Sequence, residues 1–137
     1  VIFFGGDGIF GTDFLTKAGK NGEGAFSTTM VPPTSDARTA FDAAFKEAYG
    51  MDAGTITAYT WGSYDAMAAL ISVIKQVAVV DGDTLYIPRG ALVDGVRSIK
   101  DYQGVAGVIT CGETGECNAS GPVIYTMKDG AWVSVNK

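Results

Sequence analysis

The sequence predicts an α/β fold with strands and helices unevenly distributed, and three observations lead there. The apolar run Val1-Ile2-Phe3-Phe4 is closed by Gly5-Gly6, as a buried, parallel-type strand closes in a turn. Phe41, Ala44, Phe45, Ala48 and Tyr49 fall at i, i+3, i+4, i+7 and i+8, the period of an amphipathic helix. Near the end, Val123 to Met127 and Ala131 to Val135 flank Lys128-Asp129-Gly130, a hairpin pattern.

The remaining elements follow in order. Gly11 to Ala18 carries Phe14, Leu15 and Ala18 at helical spacing, with Thr12 as an N-cap and Gly19 past the end. Ala25 to Val31 reads as a second strand, halted where Pro32-Pro33 removes two backbone donors. A helix starts at Ser35, pairs Asp42 with Lys46 on its polar face, and is stopped by Gly50. A second runs from about Tyr59 to Ala78; Met67, Leu70, Ile71, Ile74, Val77 and Ala78 make it apolar enough to need cover on more than one side. Asp81-Gly82-Asp83 is a turn, Thr84 to Ile87 a strand fragment, and Pro88 opens a helix whose buried face is Leu92, Val96 and Ile99. Gly104 to Cys111 is a further strand. Three helices in the middle therefore want a sheet that the chain hardly supplies.

Composition narrows the function. At 137 residues the prior is one compact unit, and 47% hydrophobic residues with 18% charged is globular composition. A net charge of −5 with no basic stripe argues against nucleic acid as a partner. The longest apolar run, Ala66 to Ile74, is far short of the ~18 to 20 residues that span a bilayer. The first residues lack a basic region and a cleavage site, so they do not read as a signal peptide, and the chain is expected to begin within a longer one. With no histidine, the commonest general base and zinc ligand are missing, and most hydrolase and metalloenzyme readings end there. No catalytic residue, cofactor or metal is expected.

Four motifs carry chemistry worth weighing. Gly6-x-Gly8-x-x-Gly11 follows a strand and precedes a helix, but the acidic residue that a dinucleotide site needs about 20 positions on is replaced by Met30-Val31-Pro32-Pro33, so turn glycines explain it better. Asp7 lies in that turn, at the carboxyl end of a parallel strand, either as a turn former or as an anionic partner for an ammonium group. Tyr59, Trp61 and Tyr64 cluster at a helix start, where they either line a ligand cleft or join the core. Cys111 and Cys117 bracket the turn-rich Gly112-Glu113-Thr114-Gly115-Glu116, which predicts a disulfide, with two separate thiols as the alternative. Asp81, Asp83, Glu113 and Glu116 do not fit a calcium loop and read as solvated turn charges.

Taken in order, several stretches resemble the later portion of periplasmic solute-binding proteins of the leucine/isoleucine/valine transporter family, the type I two-lobed fold. They are Phe4-Gly5-Gly6-Asp7-Gly8, Phe14 to Gly19 with Glu23-Gly24-Ala25, Tyr64-Asp65-Ala66, Tyr102-Gln103-Gly104-Val105-Ala106-Gly107 and Lys128-Asp129-Gly130-Ala131-Trp132. The resemblance implies a carboxy-terminal fragment with elements of both lobes: residues 1–33 as second-lobe strand, helix and strand, 34–106 as first-lobe helices, and 107–137 as a crossing strand and second-lobe hairpin. It further implies ligand contacts at Asp7, Gly8, Tyr59 and Trp61, with Asp7 taking the ligand's ammonium group and the aromatics covering the bound molecule. An extracytoplasmic, non-enzymatic carrier follows, periplasmic, extracellular or held at the cell surface as a lipoprotein. It would bind an amino acid or amide and deliver it to the permease of an ABC importer; the rival reading is a ligand-sensing receptor domain of the same fold. Without a sheet beneath its helices, the chain is also expected to self-associate.

Overall fold

The computed structural model describes residues 1–55, 57–118 and 122–135. The chain divides into two compact units, Val1–Val31 with Gly121–Lys137, and Pro32–Ser120.

The first unit is built on a four-stranded sheet in the order β1-β2-β7-β8, where β1 is Phe4–Gly5, β2 Phe26–Met30, β7 Pro122–Lys128 and β8 Ala131–Ser134. β1 runs parallel to β2, and the other pairings are antiparallel. The first strand is shorter than the apolar run suggested, because β2 starts at Phe26, opposite Phe4, and offers residues 1–3 only the amide of Phe26, which donates to the Phe3 carbonyl at 2.9 Å. Between these strands lies helix α1, Thr12–Ala18; Gly11 rather than Thr12 holds the cap position. Aromatic rings fill the space beside the sheet: Phe10 lies 4.6 Å from Tyr125 and 5.6 Å from Trp132, and Phe14 lies 5.5 Å from Trp132. The Glu23 carboxylate closes the unit by accepting the amides of both Asp129 and Gly130 in the β7-β8 turn. Gly130 adopts φ 75° there, and Asp129 φ 52°, which the tight hairpin requires.

The second unit holds helices α2, Asp36–Tyr49, α3, Thr60–Val77, and α4, Arg89–Arg97. Ser35 caps α2 by accepting the amide of Arg38 at 3.1 Å, and Gly50 ends it in the left-handed region at φ 70°. Two ribbons complete the unit. β3, Val79–Asp81, pairs with β4, Thr84–Tyr86, around the expected Asp-Gly turn, and β5, Tyr102–Gln103, pairs with β6, Val108–Ile109. The long strand expected over Gly104 to Cys111 is thus only β6, since residues 104–107 are consumed in the turn. Cys111 and Cys117 form a disulfide, with backbone bridging between them. Residues 107–118 fall in this unit, whereas the sequence reading grouped them with the closing hairpin.

Helix α3 buries a different line of residues from its most hydrophobic one. Trp61, Asp65, Ala69 and Val73, one per turn, are buried, while Met67 and Ile71 stay 57% and 42% exposed. The glycine of α4 at Gly95, packed on Val73, lets the two helices approach closely. Asp42 pairs with Arg38 at 3.6 Å instead of with Lys46, whose ammonium goes to Asp52 at 2.9 Å. Asp42 thus divides its oxygens between the Trp61 indole and Arg38.

Candidate functional site

Asp7 and Gly8 belong to a single 3-10 turn, Asp7–Ile9, that follows the carboxyl end of β1. The turn is closed by the amide of Phe10 donating to the Asp7 carbonyl at 2.9 Å, and it is tied to the sheet by the Ser27 hydroxyl, which donates to the Gly6 carbonyl at 2.9 Å. Both Asp7 and Gly8 are exposed. A carboxylate at the carboxyl end of a parallel strand, on a turn held from behind, is the placement in which open α/β sheets bind ligands.

The other two candidate residues sit in the second unit. Tyr59 occupies the N-cap position of α3, with its amide donating to Thr57 Oγ1 at 3.2 Å, and its side chain is 44% exposed. Trp61, two positions on, is turned inward and only 7% exposed. Its indole Nε1 donates to Asp42 Oδ1 at 2.6 Å, the Arg38 guanidinium lies 4.4 Å over its ring, and Gly54, at φ 85°, lets the backbone pass against the ring. Trp61 is thus a packed, hydrogen-bonded and cation-covered side chain. Asp7 with Gly8 and Tyr59 with Trp61 are two separate pairs, each held on its own unit.

Sequence reasoning missed a buried acid. The Asp65 carboxylate, 2% exposed, accepts the amide of Val105 at 2.8 Å on one oxygen and that of Ala106 at 2.7 Å on the other. Two of the stretches that carried the family resemblance, Tyr64-Asp65-Ala66 and Gly104-Val105-Ala106-Gly107, are therefore two halves of one contact. The signal was present in the spacing: an acid four positions after a tryptophan, on the face that also buries Ala69 and Val73. Among the described residues no group of three or more acidic or cysteine side chains is placed to hold a metal ion.

No protein-family model and no curated protein matches the chain. Solved structures do. A leucine-binding protein of Thermotoga maritima superposes with a TM-score of 0.71 at 24% identity over 97% of this chain and 36% of its own. The branched-chain amino-acid transporter substrate-binding protein of Streptococcus pneumoniae, in complex with isoleucine, gives 0.65 at 20% identity over 96% of this chain and 36% of its own. An extracellular ligand-binding receptor of Rhodopseudomonas palustris gives 0.67 at 22% identity over 98% and 41%. The chain spans a little over a third of the length of the first of these proteins. All three are binding proteins by description, and at these identities what is shared is architecture. The chain has the mixed α/β fold of the type I two-lobed periplasmic binding proteins and corresponds to one portion of that fold.

Proposed function

We propose that this chain is part of an extracytoplasmic solute-binding protein that captures an amino acid or a similar small amphipathic solute and passes it to the permease of an ABC importer. The observation that carries the reading is the extent of the likeness: 96–98% of the chain follows structures of binding proteins, one of them named for leucine and two more in complex with leucine or isoleucine. In this reading Asp7 supplies charge complementarity to an ammonium group, the adjacent Gly8 leaves room for a ligand to approach the turn, and Tyr59 gives apolar cover. Trp61 contributes from behind Tyr59 by fixing the start of α3. The disulfide suits an oxidising compartment outside the cytoplasm. A ligand-sensing receptor using the same architecture is the second reading, supported by the receptor among the matched structures.

Calorimetric titration with leucine, isoleucine, glutamine and alanine, on this chain joined to the remainder of the two-lobed fold, tests the proposal. Asp7→Asn is expected to weaken the best ligand by about 100-fold, the scale of losing a buried charge-assisted hydrogen bond. Unchanged affinity removes Asp7 from the site.

By itself the chain is proposed to pair with a second copy. Its accessible surface is 9257 Å², above the ~8,100 Å² that two compact bodies of its two units' sizes would expose even wholly apart. That surplus exceeds the ~800 Å² each partner buries in a standard interface. The β3-β4 ribbon offers an apolar part of it, with Val79 opposite Tyr86 on one face and Val80 opposite Leu85 on the other, all of them more than half exposed.

A further inference from the structure

Trp61 and Asp65 are buried one turn apart on α3, and each reaches a different partner segment of the same unit. Trp61 donates to Asp42, Asp42 pairs with the Arg38 Nε, and the Arg38 Nη1 donates to the carbonyl of Pro32. Arg38 is held in place twice, by that ion pair and by its stacking over the Trp61 ring. Asp65 takes the other route. Its two oxygens hold the amides of Val105 and Ala106, and the turn is closed by the Gly104 amide donating to the Gly107 carbonyl at 3.0 Å. A Cβ on Gly107 would stand 4.0 Å from Pro33 Cγ, so this turn passes beside the second proline. Pro32-Pro33 is where the chain passes into the second unit.

We propose that Trp61 and Asp65 are positioning residues that hold the Pro32-Pro33 crossing from two sides, one through Asp42 and Arg38 and the other through the 104–107 turn. The physical grounds are that neither proline can donate a backbone hydrogen bond, so the segment cannot be tied down by a sheet ladder. A carbonyl bonded to guanidinium and an exposed ring beside a carboxylate-locked turn stand in place of that ladder. The carboxylate is specific for the task, because it can only accept and the turn presents two amides side by side. Arginine is equally specific: one planar group meets the Asp42 carboxylate, the Pro32 carbonyl and the indole face together. The role rests on the binding-protein reading in one respect only, that a two-lobed carrier needs a defined pivot for closure; the contacts themselves do not depend on it.

The test is amide and indole hydrogen exchange by NMR on this chain, with Asp65→Asn, Trp61→Phe and Arg38→Lys. Each variant is expected to act on the opposite side of the crossing. Asp65→Asn should speed exchange of the Trp61 indole N–H, and Trp61→Phe and Arg38→Lys should speed exchange of the Val105 and Ala106 amides, by about tenfold or more. All three should shift the Pro32 and Pro33 carbon resonances, while the β2 and β7 amides of the first unit keep their rates. Two results overturn the proposal: effects that stay on the substituted residue's own side, which make the contacts independent, or acceleration spread evenly over the second unit, which makes them general stability. Should Asp65→Asn fail to fold, Arg38→Lys decides the matter, since it keeps the charge and alters only the planar contacts. No ligand enters the measurement, so its failure is distinct from that of the binding assignment.

Discussion

Gly104 is packed directly against the Asp65 carboxylate, so closely that a Cβ at position 104 would collide with Oδ2 and with the carbonyl of Gly107. Gly104→Ala is therefore expected to push the carboxylate off the Val105 and Ala106 amides and to destabilise the second unit by about 2 to 3 kcal/mol, the range of overpacking combined with a disturbed buried acid. Denaturant unfolding followed by circular dichroism measures it. Gly62, which meets nothing within 4 Å, is the control position, where alanine should be neutral or slightly stabilising in the helix interior.

The disulfide closes a loop with a sequence separation of 6, and Cys111 is fully buried while its amide donates to the Ile99 carbonyl at 2.9 Å. Replacing both cysteines by serine is expected to cost about 2 kcal/mol from the chain-entropy term. Reduction of the native chain with dithiothreitol should lower its thermal midpoint to match the double variant. A midpoint that ignores the reductant would mean that the loop is held by its backbone bonds alone.

Trp132 stacks on Phe10 and Phe14, yet its indole Nε1 is buried without a hydrogen-bond partner. Trp132→Phe removes the unsatisfied donor and keeps an aromatic ring, so it should leave stability within about 1 kcal/mol of the native value. Trp132→Ala should lose about 3 to 5 kcal/mol. Equal losses in the two variants, read from thermal unfolding, would show that the indole nitrogen is satisfied in solution.

Sedimentation equilibrium checks the pairing of copies. The chain should associate in the micromolar range, and Val80→Lys with Leu85→Glu on the β3-β4 ribbon should leave a monomer. A native chain that remains monomeric at high concentration contradicts the proposed dimer.

Helices were the most legible part of the sequence, because capping and periodicity are local: Ser35, Gly50 and the spacing from Phe41 to Tyr49 mark α2 without reference to anything else. The hairpin around Asp129-Gly130 and the disulfide were legible for the same reason. Other features depend on partners distant in the chain. Nothing near Asp65 says that it will meet Val105, and Trp61 leaves both cleft and core open until Asp42 and Arg38 are seen beside it. Very short strands such as β5 and β6 carry no period at all, and only their turn, locked by a buried acid, defines them. Of the candidate site, the strand-end position of Asp7 was readable from Gly5-Gly6, whereas the inward turn of Trp61 was not.

The bonds from Glu23 to the Asp129 and Gly130 amides join positions 106 and 107 residues apart. On the ribosome, β2 therefore emerges long before the strand that completes its ladder, and the whole of the intervening unit is synthesised first. A nascent chain must keep the aromatic side of an unfinished sheet from sticking to its neighbours during that interval, which makes the emergence of β7 and β8 the step at which the first unit either assembles or is lost to aggregation.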